Sequence, residues 1–461
     1  MKFWQKSCML ALVLGIGMGL AGHVQAGITS DAQKDVLYYQ VKKTVPVKIL
    51  ADYRKQGYSG VVDFGTFTKV DNQRMFDWFN ARFDGNFNVT DMPRISCSCC
   101  IKPVAVKGEQ MVLFGRNMDL PVTHAPAFVF RINEPGKYKS VNIGYMHNAL
   151  EPFDQIVETG TIDEEVRENL ICFVTDFMNE KGLVLETNMR DDCAEVMTKG
   201  TNPGKPRMNF IMLPRYLADN CANIEEVLAA VKNFDFYTMN SNISTWHIAC
   251  SMMDATGRFG TMELVNNKVV WHEGYPGQTN YWIDSQARKT AGNNLGIGRW
   301  AVLMAGYNNI KTMEDMRRNM EKTWYSQVFD VDAEKMSFDP AMELAGCTVQ
   351  NIVDMTLFWQ KEYGIRIDKE ELARVQAIAD EQARDKIYWD NAFLDDPTNF
   401  LKVYTVLDFV THAKKQLPPK AKKLTGMHEA SVISYVVNNK EKVFHTKFFA
   451  QPKIFHLGID K

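Results

Sequence analysis

Three cysteines crowd into Cys97-Ser98-Cys99-Cys100, and Arg116 and Asp119 of Gly115-Arg116-Asn117-Met118-Asp119 follow the last of them by 16 and 19 residues. A thiol attacks a carbonyl carbon as thiolate, and a neighbouring guanidinium favours that charged form. A general base must also take the proton. If the chain is cut directly before the cysteine, the freed α-amino group, with a reference pKa of about 8, sits on the same residue as the sulfur and can accept it. Asp119 would then hold that amine. These residue types at this spacing point to acyl-carbon attack by Cys100, with Arg116 as its activator.

The elements that must bring them together read as a hairpin. Ile101 to Val106 is one strand, Lys107-Gly108-Glu109-Gln110 a turn, and Met111 to Gly115 a second strand. A hairpin centred between Gly108 and Glu109 pairs residues whose numbers sum to about 217, which sets Cys100 across from Asn117 with Arg116 and Asp119 beside the sulfur. Pro103 makes the first strand an edge or an irregular start. Further on, short apolar runs separated by turns form a meander: Trp246 to Met253, Phe259 to Val265, and Val269 to His272. Asn223 caps a helix with Glu226 at the capping-box position, and Asp368 with Glu371 opens another over Leu372 to Ile387. Ser431 to Val437 and Lys442 to Phe449 close the chain as a hairpin, so the helical stretch of about 311–423 reads as an insertion between strands of one core.

At this point the motifs resemble a known family. Cys100 with Gly115-Arg116-Asn117-Met118-Asp119 is similar to the opening of the choloylglycine hydrolase group of N-terminal nucleophile hydrolases, which includes bile salt hydrolases and penicillin V acylases, with acid ceramidase and N-acylethanolamine amidase as relatives. The resemblance continues through Met178-Asn179-Glu180-Lys181-Gly182-Leu183, the helix at Asn223, Trp246-His247 to Asp254-Ala255-Thr256-Gly257, and Thr279-Asn280. It implies an α+β fold, the four-layer αββα sandwich, and hydrolysis of a linear amide through a Cys100 thioester. It also implies that Arg116 orients the sulfur, that Asp119 binds the α-amino group, and that Asn280 donates to the oxyanion, a role for a preorganised neutral donor. Asn188 lies one residue from a second such position. Arg299, in Gly298-Arg299-Trp300, resembles the family's late arginine, although it follows Asn280 sooner than usual. Neither cofactor nor metal is implied. Unlike bile salt hydrolases, this chain carries a long segment before the cysteine; like the secreted acylases, it is expected to cut an internal bond, Cys99–Cys100. Residues 27–99 then form a pro-segment and 100–461 the hydrolase domain.

Other readings of the same residues stay open. Cys97 and Cys99 precede Arg116 by 19 and 17 residues rather than the family's 16, and are expected in disulfides or discarded. A thiolate metal cluster lacks the second Cys or His pair that closed zinc sites need. His247 and His272 lie in apolar strands and read as core or rim histidines. A secreted, non-catalytic binding protein with structural disulfides is a second reading, and acyl transfer to an amine a third.

Composition sets the surroundings. The chain has 461 residues, 46% hydrophobic, with a net charge of -2, so no field attracts nucleic acid. Lys2 and Lys6 precede an apolar run from Met9 to Leu20, and Val24-Gln25-Ala26 offers a cleavage site, so residues 1–26 read as a signal peptide and the product as secreted or periplasmic. No later run approaches the roughly 20 apolar residues of a membrane helix, and no stable anchor is expected. The expected partner is a small N-acyl amide, with a homo-oligomer left open.

Overall fold

Phe128, Phe130 and Ile132 alternate with Val129 and Arg131 along one strand, and all five are buried. A strand covered on both faces needs protein layers above and below it. The computed structural model supplies them. It describes residues 24–26, 39–41, 43–52, 60–83, 96–106, 108–121, 127–145, 154–190, 204–237, 239–240, 245–265, 268–285, 287, 297–323, 349–385, 402, 405–406, 408–410, 412–413, 416, 429–448 and 453–460.

Fifteen strands frame the site. They are β1 (Lys48–Asp52), β2 (Gly60–Phe67), β3 (Ser96–Val106), β4 (Glu109–Pro121), β5 (Ala127–Ile132), β6 (Ser140–Tyr145), β7 (Val174–Asn179) and β8 (Val184–Arg190), followed by β9 (Thr245–Met253), β10 (Phe259–Val265), β11 (Lys268–Glu273), β12 (Gly277–Gln278), β13 (Glu429–Asn438), β14 (Val443–Phe448) and β15 (Ile454–Gly458). One sheet runs β11-β10-β9-β8-β7-β6-β5-β2-β1 and the other β12-β3-β4-β13-β14-β15. All these pairings are antiparallel except β2 with β5. Val129, Val141, Ile143, Met178 and Val184 of the first sheet meet Ile101, Val112, Phe114 and Val437 of the second in one core.

Each outer face carries helices. α1 (Asn72–Phe83), α2 (Leu213–Asn220) and α3 (Ile224–Ala230) set Phe79, Leu217 and Val227 against Phe128, Phe130 and Phe177. α4 (Ile297–Tyr307) and α5 (Met313–Glu321) set Leu303, Met316 and Met320 against Leu113 and Val436. The result is the expected α+β sandwich of four layers. The caps form as their residues require. Asn223 Oδ1 accepts from Glu226 N–H at 2.9 Å while the Glu226 carboxylate accepts from Ala222 N–H at 2.7 Å, and Asp368 Oδ1 accepts from the Glu370 and Glu371 N–H groups.

Within the expected pro-segment, 27–99, β1 and β2 extend the first sheet, Val61 enters the core between the sheets, and Phe64, Phe67, Met75 and Phe79 lie in the outer core. Each such side chain contributes roughly 1.5–3 kcal/mol by burial, so together they rival the whole stability of an ordinary domain. The expected cut at residue 99 falls inside β3. Within the expected insertion, 311–423, α5 is part of the outer layer. What remains is α6 (Val349–Tyr363), α7 (Lys369–Asp385) and a helical stretch with Val406, Phe409 and Val410, packed on Tyr281 and Trp300. Residues 1–23 of the expected signal lie outside the described residues. Among those described, no helix is long and apolar enough to cross a membrane.

Candidate active site

The hairpin β3–β4 decides which cysteine meets Arg116. Gly108 has φ 85, the left-handed conformation that a two-residue hairpin turn asks of its second central position. The strand pairing is centred one residue earlier than expected, directly before Gly108, and every partner moves by two. Cys100 pairs with Gly115, Cys97 with Met118, and Ser96 with Asp119. Since side chains alternate along a strand, Cys97 and Cys99 face the space between the sheets, whereas Ser98 and Cys100 face α4 and α5.

This corrects the position expected for Cys100. It packs with Leu303, Ile310, Met316 and Met320 in the outer core. Burial pushes its thiol up to about 12, opposed by Lys102 and a hydrogen bond with Asn319. Neither Arg116 nor Asp119 acts on it. Cys97 occupies the place expected of Cys100. Burial pushes its thiol up to about 11, opposed by the charge of Arg116 and a hydrogen bond from it, with Asp119 adding a smaller upward push.

The other residues singled out from the sequence converge on Cys97. Asn280 Oδ1 accepts from Cys97 N–H at 2.9 Å, and Arg299 Nη1 donates to the Cys97 carbonyl at 2.6 Å. Arg299 Nη2 also donates to Asn280 Oδ1 at 2.5 Å, and its Nη1 lies 3.4 Å from Asp119 Oδ2. Asn188 accepts from Arg116 Nη1 at 2.8 Å and donates to the Gln278 carbonyl at 3.3 Å. Asn280 differs from its expected role in one respect. Its Nδ2 donates to the Met189 carbonyl at 2.9 Å, so in the uncut chain it is the oxygen that serves Cys97. β12 makes this convergence. It pairs Gly277 with Cys100 and Gln278 with Cys99, which carries Asn280 to the level of Cys97.

Arg116 reaches from β4 across the space between the two sheets and is fully buried. Its Nε lies 3.1 Å from both Asp176 Oδ1 and Glu186 Oε2, and its Nη groups donate to the carbonyls of Asn117 and Thr187. Burial disfavours the guanidinium charge, but Cys97, Asp176, Glu186 and Tyr435 hold it protonated. Asp176 and Glu186 escaped the sequence reading. Their one signal is an acidic residue inside each of two otherwise apolar strands, Val174-Thr175-Asp176-Phe177 and Val184-Leu185-Glu186. Cys97 precedes Arg116 by 19 residues rather than 16, a spacing that points away from it in the sequence.

Cys97, Cys99, Cys100, Cys172, Cys221 and Cys250 are free thiols, so the disulfides expected for Cys97 and Cys99 do not form here. His272 is a rim residue whose Nε2 lies 3.0 Å from Glu263 Oε2. Burial raises the Glu263 pKa, but His272 and Arg190 outweigh it and hold the carboxyl below its usual range. The His247 side chain lies outside the described residues. One group of possible cation ligands, Glu371, Asp408 and His412, lies in the helical insertion, where Asp408 and His412 already pair at 3.6 Å.

Residues 100–281 match the sequence model of the linear amide C-N hydrolases, choloylglycine hydrolase family. No curated protein matches the chain. Among solved structures, a variant of the conjugated bile acid hydrolase from Clostridium perfringens is 12% identical, with a TM-score of 0.38, over 78% of this chain and 93% of its own. The penicillin V acylase from Agrobacterium tumefaciens is 13% identical, with a TM-score of 0.32, over 79% and 87%.

Proposed function

Residues 100–281 match the sequence model of the choloylglycine hydrolase family, hydrolases of linear amide C–N bonds, and from that likeness we propose an exported enzyme that cuts its own backbone before Cys97 and then hydrolyses an N-acyl amide. One observation carries the choice of cysteine: the Cys97 thiol lies with Arg116 and Asp119 while its own N–H rests on Asn280.

In the self-cleavage step, Cys97 Sγ attacks the Ser96 carbonyl carbon, the Ser96–Cys97 C–N bond breaks, and the nitrogen takes up the thiol proton. Water then hydrolyses the resulting ester of sulfur, leaving a Ser96 carboxylate and a free thiol on an N-terminal cysteine. In turnover the new α-amine, held by Asn280 Oδ1 with Asp119 nearby, takes the thiol proton as the sulfur attacks the substrate amide. The amine product leaves, and water releases the acid. Arg116 favours the thiolate.

Tyr275 stacks on Trp300 at 5.5 Å, Tyr275 and Tyr281 join through their hydroxyls at 2.6 Å, and α6 and α7 pack over them. Trp300 and Tyr281 follow Arg299 and Asn280 directly in the chain, so this cluster braces the site. The proposed substrate is an N-acyl amide of the penicillin V or bile salt type. The apolar run before Val24-Gln25-Ala26 supports export.

A second reading has its own observation. The family match opens at Cys100, which also has the 16-residue spacing to Arg116, so a cut at Cys99–Cys100 would give the alternative nucleophile. Intact mass and N-terminal sequencing of the purified protein decide between them, followed by a panel of N-acyl amides with product analysis. A new terminus at Cys97 is expected; a chain left uncut yet active would overturn self-cleavage altogether.

A further inference from the structure

Asp176 on β7 and Glu186 on β8 are direct cross-strand partners, and both are fully buried. Two carboxylates opposite each other on one face repel. Among the described residues one cation faces them: Arg116 Nε, 3.1 Å from an oxygen of each. The neighbouring cation, Arg190, belongs to Glu263 at 3.1 Å. The remaining groups around the pair are Tyr435 from β13, whose hydroxyl donates to Asp176 Oδ1 at 2.8 Å, Gln278 from β12, which donates to Glu186 Oε1 at 3.2 Å, and Ser251 and the Cys250 thiol from β9, with the Cys97 and Cys99 thiols from β3. All of these are neutral. Asp176 Oδ2 and Glu186 Oε2 accept no hydrogen bond. Two ionised carboxylates on one guanidinium would leave a net negative charge without compensation in a dry interior, which is too costly to persist.

We propose that Asp176 and Glu186 share one proton at neutral pH and act as positioning residues for Arg116, so that gain or loss of this proton moves the ionisation of the nucleophilic thiol. Burial pushes Glu186 up, Arg116 opposes this, and Asp176 adds to the rise, so Glu186 is the acid that keeps the proton. With the proton in place, a single carboxylate charge balances Arg116, and the guanidinium is free to favour thiolate at Cys97. When the proton leaves to solvent at higher pH, a second negative charge appears beneath the site and opposes that thiolate. Glu186 acts on both Cys97 and Cys99 in this sense.

The link to the thiol rests on the proposed role of Arg116; the proton itself does not, and it has its own readout. Difference infrared spectra of the folded full chain at neutral pH are expected to show the carbonyl stretch of a buried, protonated carboxyl. Glu186→Gln removes it, and Asp176→Asn removes it too, because the remaining acid then ionises against Arg116. A wild-type spectrum without that band overturns the shared proton whatever the enzyme does. For the coupling, iodoacetamide alkylation of the cysteine thiol is followed against pH. Glu186→Gln is expected to make the profile a single ionisation displaced to lower pH, while the wild-type profile is broader. Superimposable profiles would leave Glu186 a purely structural residue and refute the coupling. A variant that melts early is compared at a temperature where its circular dichroism is native, and Asp176→Asn serves as the second variant.

Discussion

Cys97→Ala and Cys100→Ala remove the same atom from two buried sites three residues apart, on opposite faces of β3. Each loses about 1 kcal/mol of stability, the scale of deleting one methyl-sized group from a core. The melting temperature then falls by about 2–4 °C or less in a chain of this length. The chemical consequences differ far more. Cys97 meets Arg116 by charge and hydrogen bond and has Asn280 and Arg299 on its backbone, whereas Cys100 meets methionines and leucine under α4 and α5. Cys97→Ala is expected to stay uncut and to lose activity about a million-fold, the scale of deleting a covalent nucleophile, which is about 8 kcal/mol of barrier. Cys100→Ala is expected to mature and to keep activity within about threefold, because 1 kcal/mol leaves a protein of ordinary stability almost wholly folded. Intact mass, N-terminal sequencing and release of amine from N-acyl substrates measure all of this on one preparation. If Cys100→Ala stays uncut and inactive while Cys97→Ala matures, the register argument fails and the nucleophile is Cys100.

Arg116→Met leaves Asp176 and Glu186 facing each other without a cation and should cost about 3–5 kcal/mol in denaturant unfolding, as removal of one partner from a buried ion pair does. Arg116→Lys should rescue little, since an ammonium cannot span the carbonyls of Asn117 and Thr187 together with Asn188. Burial raises the thiols of Cys97 and Cys100 from 9.0 to about 11 and about 12, so the native chain keeps protons that the unfolded chain releases. That contribution is complete below pH 9 and is lost as pH climbs from there through the native values, at about 1.4 kcal/mol per pH unit for each thiol; urea unfolding from pH 8 to 10.5 should show the decline, shallower in Cys97→Ala. After self-cleavage the N-terminal fragment should co-elute with the remainder in gel filtration and part from it only in denaturant, because β1 and β2 belong to the first sheet; two separate native peaks would contradict this. Gly277→Ala places a Cβ against the Cys99 carbonyl at φ +106, a strain of about 1–3 kcal/mol before any collision, and thermal melting with the extent of self-cleavage should both report it.

Much of the site was legible because its residues lie at fixed intervals along one hairpin or in an ordered series of motifs. Arg116 and Asp119 followed from spacing, and Asn188, Asn280 and Arg299 from the resemblance; Asn280 and Arg299 meet the Cys97 backbone, Arg299 also meets Asp119, and Asn188 meets Arg116. Hairpin arithmetic came within two residues. It erred because the turn centre depends on which residue takes the left-handed conformation, and Gly108 could have stood at either position until the strands paired. The segment before the cysteine misled for another reason. Val61, Phe64 and Phe67 are ordinary strand residues, and only their place beside β5 shows them to be part of the first sheet.

The amino-acid sequence by itself determined the chemistry available: a cluster of thiols, a guanidinium and a carboxylate at hairpin spacing, and alternating strands that could only stack into layers. Tertiary structure alone decided which thiol meets the guanidinium and that two acids, ten residues apart in the chain, share it. Both depend on strand register, and register is settled by the packing of whole sheets, where a shift of one residue turns every side chain to the other face.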